Sequence, residues 1–430
     1  MHPTLMRMAV LTVLAVGTQG TATVARSQTP ADTAKRSLKP ITGRAQRCKD
    51  GKIETFDCRN VEVLSYLPAS IIGTGELGGD LWGWTDSATG REFVVATAAN
   101  GAAFVEVTDP VNPKYLGSLP MAEVATSGLS VKVYKNHAFL APGAGGMQIF
   151  DLTQLRNVTT APRVFQATAS YNDIQGTHTL AVDPETGFLY GNGGFTCGSG
   201  LHMIDARTPA KPTFAGCYTE PATGGLGGDG FIHDTQCVVY RGPDRSYQGR
   251  EICFNSSAGA LGIADVTDKQ HPKTISIIRY PDLGYVHQGW LTEDQRYFFL
   301  DDEMDEYPGS GYRDLAIGLG LLKKPSDTTA THTRTIVFDM NDLDDPVVLT
   351  NYYATTTATD HNLYIRGRYM YQGNYEAGLR IVDVADPKHP KEVGYLSNIG
   401  SAPGTYPFFK DGVVAVPTSI GVFLVRLLKP

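Results

Sequence analysis

The sequence predicts an all-β protein, a seven-bladed β-propeller of four-stranded antiparallel blades. Three observations carry that expectation. A short phrase recurs along the chain, its recurrence step is the length of one blade, and a spare strand near the start, residues 61–68, completes the last unit.

The phrase is apolar-apolar-acid-apolar, followed by a turn rich in Asp or Pro. It reads Phe104-Val105-Glu106-Val107, then Ile149-Phe150-Asp151-Leu152, Met203-Ile204-Asp205-Ala206 and Ile263-Ala264-Asp265-Val266. It returns as Val337-Phe338-Asp339-Met340 and Ile381-Val382-Asp383-Val384, with a degenerate seventh copy, Phe423-Leu424-Val425-Arg426. With the acid (or Arg426) as the marker, the phrase recurs in steps of 45, 54, 60, 74, 44 and 43 residues. A unit in the forties is one blade, and longer steps are loop insertions. Within the sixth unit, residues 361–365, 369–373, 379–384 and 391–396 alternate as four strands, separated by Gly-, Asp- and Pro-containing turns. The last unit supplies only three, residues 405–409, 413–417 and 422–427. The stretch Val61-Glu62-Val63-Leu64-Ser65-Tyr66-Leu67-Pro68 resembles the fourth strand of the first unit, 114–120, and fills the vacancy without leaving a sheet edge in that seam.

Ahead of the repeats, Arg7, the apolar run 8–16 and the small residues 21–25 read as a cleavable signal peptide, residues 1–27, too short to span a bilayer. Residues 28–58 are expected to be a flexible N-terminal segment carrying a disulfide-closed turn, and 59–430 the propeller. The protein is therefore expected to be secreted, to the extracellular space or cell surface, with the periplasm as the other destination. It is expected to be a monomer without a membrane span. A net charge of -7 with both signs interspersed leaves no basic stripe for nucleic acid and no polybasic membrane patch. Six cysteines in an exported chain suggest three local disulfides: Cys48 with Cys58, Cys197 with Cys217, and Cys237 with Cys253. No Cys-x-x-Cys occurs to favour zinc.

The phrase Ile381-Val382-Asp383 resembles the LVIVD repeat of bacterial surface propellers. With Leu81-Trp82-Gly83-Trp84, His233-Asp234-Thr235-Gln236-Cys237, His287-Gln288-Gly289-Trp290 and His361-Asn362-Leu363-Tyr364, the chain from Cys58 to Arg426 resembles the choice-of-anchor B family. The resemblance implies the fold and no assigned activity. The chain ends Leu428-Lys429-Pro430 without a sorting motif, so release is expected over surface attachment.

Chemistry is expected at one end of the ring. His178, His233, His287 and His361 head the first strand of four successive units, and first strands line a propeller's channel. Four equivalent positions should converge on half of its mouth, with Asp234, Gln236, Gln288, Asp360 and Asn362 on the same side. Imidazoles beside carboxylates suit a divalent transition metal; the blander expectation is a repeat-derived histidine bonded to the next blade's backbone. The run Asp301-Asp302-Glu303 is a weaker, calcium-type candidate. His137, His202, His271, His332 and His389 are placed at turns or outer strands. Trp82 and Trp84 are expected to pack between blades. The glycine-rich stretch 224–230 and the insertion 303–332 are expected to be rim loops, the latter a lid. Walker, dinucleotide-binding, nucleophile-elbow and His-Glu-x-x-His motifs are missing. Two functions follow as expectations. The first is a binding or scaffold propeller holding an extracellular protein, glycan or small ligand, or a metal, at its mouth. The alternative is a metal-dependent hydrolase or lyase acting at the histidine cluster.

Overall fold

A computed structural model describes residues 38–430 apart from 74–76, 99, 122–128, 142–144, 225–227, 229, 305–331 and 429–430. The signal peptide, most of the proposed lid and part of the glycine-rich loop lie outside the described residues. The described chain forms seven antiparallel sheets, each built around four strands. Blade 1 runs from the channel outwards as Leu77–Thr85, Glu92–Ala98, Gly101–Glu106 and Lys114–Pro120. Blades 2 to 6 repeat this order, with innermost strands Ser130–Tyr134, Thr179–Asp183, Asp234–Val239, Val286–Leu291 and Leu363–Arg366. These innermost strands contact one another in sequence around the channel.

The recurring acid explains itself once the third strand is seen to end on it. In blades 2 to 6 the carboxylates of Asp151, Asp205, Asp265, Asp339 and Asp383 each accept the backbone N–H two residues on, an Asx turn that breaks the strand. In four blades an arginine at the start of the second strand adds an ion pair: Arg91 to Glu106, Arg250 to Asp265, Arg296 to Asp339 and Arg368 to Asp383. Just before the acid in five blades, and before Arg426 in blade 7, the pairing of third and fourth strands slips by a residue. The repeat therefore encodes a bulge and a turn, which twist each blade and send the chain on to the next.

Ring closure follows the expected bookkeeping. Val61–Pro68 pairs antiparallel with Gly421–Leu427, placing Leu67 opposite Val422 and Val63 opposite Val425. Two details differ from the sequence expectation. Of residues 405–409, only Tyr406 pairs, with Ala415 beside Val413–Thr418, because Pro403 and Pro407 flank it and cannot donate to a ladder. The segment up to residue 58, expected to be flexible, contains strands. Gln46–Arg47 adds to the outer edge of blade 7, and Phe56–Arg59, paired with Lys52–Ile53, adds to that of blade 6. They are two to four residues long, too short to show alternation, and acquire order from the edges they cover. Cys48–Cys58 links these two additions, and Cys197–Cys217 and Cys237–Cys253 also form as expected.

Apolar side chains fill the spaces between blades. One core cluster joins blades 7 and 1 through Leu64, Val94, Val105 and Leu424, and further clusters join each successive pair up to blades 5 and 6. Each fully buried phenylalanine in these layers, such as Phe104, Phe150, Phe254 and Phe298, contributes about 1.5–3 kcal/mol from burial. Between blades 6 and 7 the filling is aromatic: Phe56 stands edge-on to Phe423 and Tyr66, which stack on each other at 4.3 Å.

Candidate functional site

The mouth of the channel is built from the same strand position in every blade. Moving around the ring, the residues there are Gly79, Leu129, His178, His233, His287, His361 and Pro403. All seven line one recess of about 190 Å3. The residue after each position adds Asp80, Ser130, Thr179, Asp234, Asn362 and Gly404 to the wall, and Lys132, Tyr375 and Pro417 complete it. Three residues beyond the mouth position, the inner strands carry Trp82, Lys132, Trp290, Tyr364 and Tyr406. Trp82, Trp290, Tyr364 and Tyr406 form edge-to-face or tilted ring contacts with one another and with Phe408, at centroid distances of 5.0–6.3 Å. At about 3.3 Å rise per residue this aromatic layer lies roughly 10 Å deeper. Lys132 joins the two levels: its ammonium donates to Asp80 at 2.7 Å and lies 4.5 Å above the Trp82 ring.

The four histidines form a continuous arc. Ring centroids are 4.6 Å apart between His178 and His233, 4.2 Å between His233 and His287, and 4.3 Å between His287 and His361. Tyr375 extends the arc at 4.6 Å from His361. Three rings are oriented through Nδ1. That of His233 donates to the His287 carbonyl at 2.9 Å, that of His361 to the Pro403 carbonyl, and that of His287 to Asp301 at 3.2–3.3 Å. A carbonyl only accepts, so neutral His233 and His361 carry their proton on Nδ1 and leave Nε2 as a lone pair. The Nε2 of His233 meets that of His178 at 2.8 Å, and the Nε2 of His361 has no hydrogen-bond partner among the described residues.

Carboxylates gather on one side of the arc. Glu303 places Oε2 3.6 Å from His287 Nε2, while its Oε1 accepts the Tyr375 hydroxyl proton at 3.1 Å. Burial holds the imidazolium forms of His178, His233 and His361 down, His361 to about 3. His287 goes the other way. Burial opposes its charge, but Glu303 and Asp301 face it and hold its pKa up, to about 9. Burial also raises Asp234, to about 7, and Asp301, to about 6, the latter against the pull of His287. Three rings are thus neutral at pH 7, and the fourth is ion-paired to buried carboxylates.

The other expected residues divide. Asp234 and Asn362 line the recess. Gln236 and Gln288 do not: their Oε1 atoms accept the backbone N–H of Leu291 and Leu363 in the following blade, so they brace neighbouring inner strands. Asp360 is fully buried and outside the recess lining. The acidic run is split by strand alternation. Asp301 turns to His287, whereas Asp302 accepts from Tyr280, Gly284, Tyr285 and Arg334 on the other side of its strand. Trp84 packs between blades on Phe93 as expected, while Trp82 belongs to the channel layer. His202 is a buried structural residue between Tyr171 and Thr196. Asp80, Ser130, Lys132, Tyr375 and Pro403 were not anticipated. The signal that finds Asp80, Ser130 and Pro403 is the register itself, since they align with the histidine positions or the residues just after them.

A family model described as the LVIVD repeat matches residues 360–397, which are blade 6 together with its mouth residues His361 and Asn362. Among solved structures, the chain is similar to one titled the crystal structure of a functionally unknown protein from Desulfotomaculum acetoxidans DSM 771. The TM-score is 0.51 at 11% identity, covering 84% of this chain and 99% of that one. At that identity the likeness shows the fold alone. No curated protein matches the chain.

Proposed function

We propose that the protein is an exported β-propeller binding module that takes a small, polar ligand into the histidine-lined mouth of its channel. The observation that carries this reading is the convergence of four imidazoles from successive blades on one recess, three of them oriented from behind through Nδ1. A histidine kept only to brace a blade needs one bonded nitrogen and no space in front of the other. Here that space is about 190 Å3, with the Lys132–Asp80 pair in its wall and the aromatic layer deeper in the channel. The volume suits a ligand of a few heavy atoms, and the polar groups around it would fix its orientation. Three disulfides are the chemistry of an oxidising compartment, which supports export, as does the wider resemblance to choice-of-anchor B propellers.

The test is a thermal-shift screen of small carboxylates, hydroxy acids, amino acids and monosaccharides. A ligand present at a hundred times its Kd stabilises by about 2.7 kcal/mol. The expected hit raises the melting temperature of wild type and loses that effect in His178→Ala and Asn362→Leu. It keeps the effect in His271→Ala, which alters an exposed turn. A hit that survives both mouth substitutions, or a panel without any hit, refutes the assignment.

A further inference from the structure

We propose that a divalent first-row transition-metal ion is held in this mouth by His287 Nε2, His361 Nε2 and the Glu303 carboxylate, with Asp301 and the Pro403 carbonyl as the groups that aim the two rings. The proposal rests on the mouth being the ligand site and names what that site binds first.

Geometry argues for it. The ligand atoms of His287, Glu303 and His361 all lie within 4.8 Å of one another. An ion with metal–nitrogen and metal–oxygen bonds near 2.0–2.2 Å requires donors about 3–3.5 Å apart. The His287–Glu303 separation, 3.6 Å, is already close to that, and the His361 donor lies within 4.8 Å of both. The atoms behind the donors are arranged as metal-binding histidines require. A ligating imidazole gives its second N–H to a carboxylate or a carbonyl, which fixes tautomer and direction. His287 gives its Nδ1–H to Asp301, and His361 gives its own to the Pro403 carbonyl. Glu303 is steadied in the same manner, because the Tyr375 hydroxyl occupies Oε1 and leaves Oε2 towards His287.

The donor set also selects the ion. Two imidazoles and one carboxylate suit iron, manganese, cobalt or zinc, whereas calcium and magnesium take oxygen. Three protein donors leave coordination positions open towards the recess, where a small ligand with an oxygen or nitrogen donor can enter. The structural alternative, that each ring merely bonds the next blade, covers Nδ1 of His233 and His361. It does not cover His287, which turns to a buried carboxylate and has Glu303 opposite its far nitrogen; the ion takes the place of the proton that His287 carries there in the ion pair.

The test is Co2+ binding to the full chain after dialysis against a chelator, read by visible d–d absorption and by metal analysis after gel filtration. Wild type should take up a single ion per chain. Glu303→Gln and His361→Ala should each weaken binding at least tenfold, and Asp301→Asn by 10–100-fold. His389→Ala, on an exposed turn, should leave it unchanged. Circular dichroism melts run alongside; if one variant misfolds, the others still decide. Folded wild type that binds no Co2+, or Co2+ bound equally well by Glu303→Gln and His361→Ala, overturns the proposal. A small-molecule thermal shift in protein that binds no Co2+ sinks the metal while leaving the binding function standing.

Discussion

Replacing Phe56 by alanine should loosen the seam where the ring closes. Phe56 comes from the N-terminal segment that adds to blade 6, and its ring, 1% exposed, stands 5.1 Å from Phe423 and 6.0 Å from Tyr66 of blade 7. The rings of Tyr66 and Phe423 stack on each other, and the Tyr66 hydroxyl donates to the Ile420 carbonyl. The pair is therefore held from two sides and cannot collapse into the space left behind. A Phe→Ala change in such a site costs about 3–5 kcal/mol. Over the Lys39–Pro430 ring an unfolding entropy of roughly 2 cal/mol/K per residue gives about 0.8 kcal/mol per kelvin. The melting temperature should then fall by about 4–6 °C. Scanning calorimetry at pH 7 measures it, with Phe195→Ala as the control, because Phe195 is 82% exposed and its loss should be worth less than about 0.5 kcal/mol. If Phe56→Ala melts with the wild type and the Phe195 control, the N-terminal segment does not hold the seam, and its strands are decoration on a ring already closed by residues 61–68.

Two further outcomes test the fold elsewhere. His202 accepts or donates to Tyr171 and Thr196 in a buried site, and burial lowers its pKa from 6.5 to about 4. A depressed histidine contributes stability that is complete above pH 6.5 and lost as pH falls towards 4. His202→Gln should flatten the melting curve's pH dependence across that interval; an unchanged acid limb would assign the loss to other groups. Two glycines should behave oppositely. Gly117 has φ +140°, and a Cβ there would come within 1.8 Å of the Arg163 carbonyl oxygen, so alanine should cost about 2–3 kcal/mol in a urea melt. At Gly404 the nearest atoms stand 3.6 Å away, so alanine should stay within about 0.5 kcal/mol of wild type. Equal effects at the two positions would show that the bulge opposite Phe104 does not need its glycine.

The ring was legible because its repeat carries physics at fixed offsets. In blades 2 to 6 the acid that ends the third strand is an aspartate forming the turn, and the strand before it must be apolar on both faces because blades cover both. Those demands survive loop insertions, so the markers stay visible when the step stretches to 74 residues. The outer additions were not legible, since strands such as Gln46–Arg47 follow from an available edge and not from their own pattern. The same contrast holds at the mouth. The histidines announced themselves by residue type. Gln236 and Gln288 looked equivalent to Asp234 and Asn362 in one dimension, yet their longer side chains reach the next blade's backbone and are used there. Glu303 was expected only within an acidic, calcium-type run; it follows the second strand of blade 5, and only folding brings it opposite a histidine that precedes it by a whole hairpin.

The recess exists because the seven mouth positions are unequal. Were all seven histidines, their rings would fill the space they now surround. The positions preceding and following the four-histidine arc are instead Leu129 and Pro403, with Gly79 between them across the ring closure. Glycine and proline bring no long side chain to the mouth, and Gly404 beside Pro403 adds none. Short side chains therefore stand at the mouth positions of blades 7 and 1, and imidazoles at those of blades 3 to 6. A purely structural repeat has no cause to produce that division, since a channel packed evenly from seven sides would bury more surface. On the binding reading proposed above, that inequality is what leaves room beside the imidazoles.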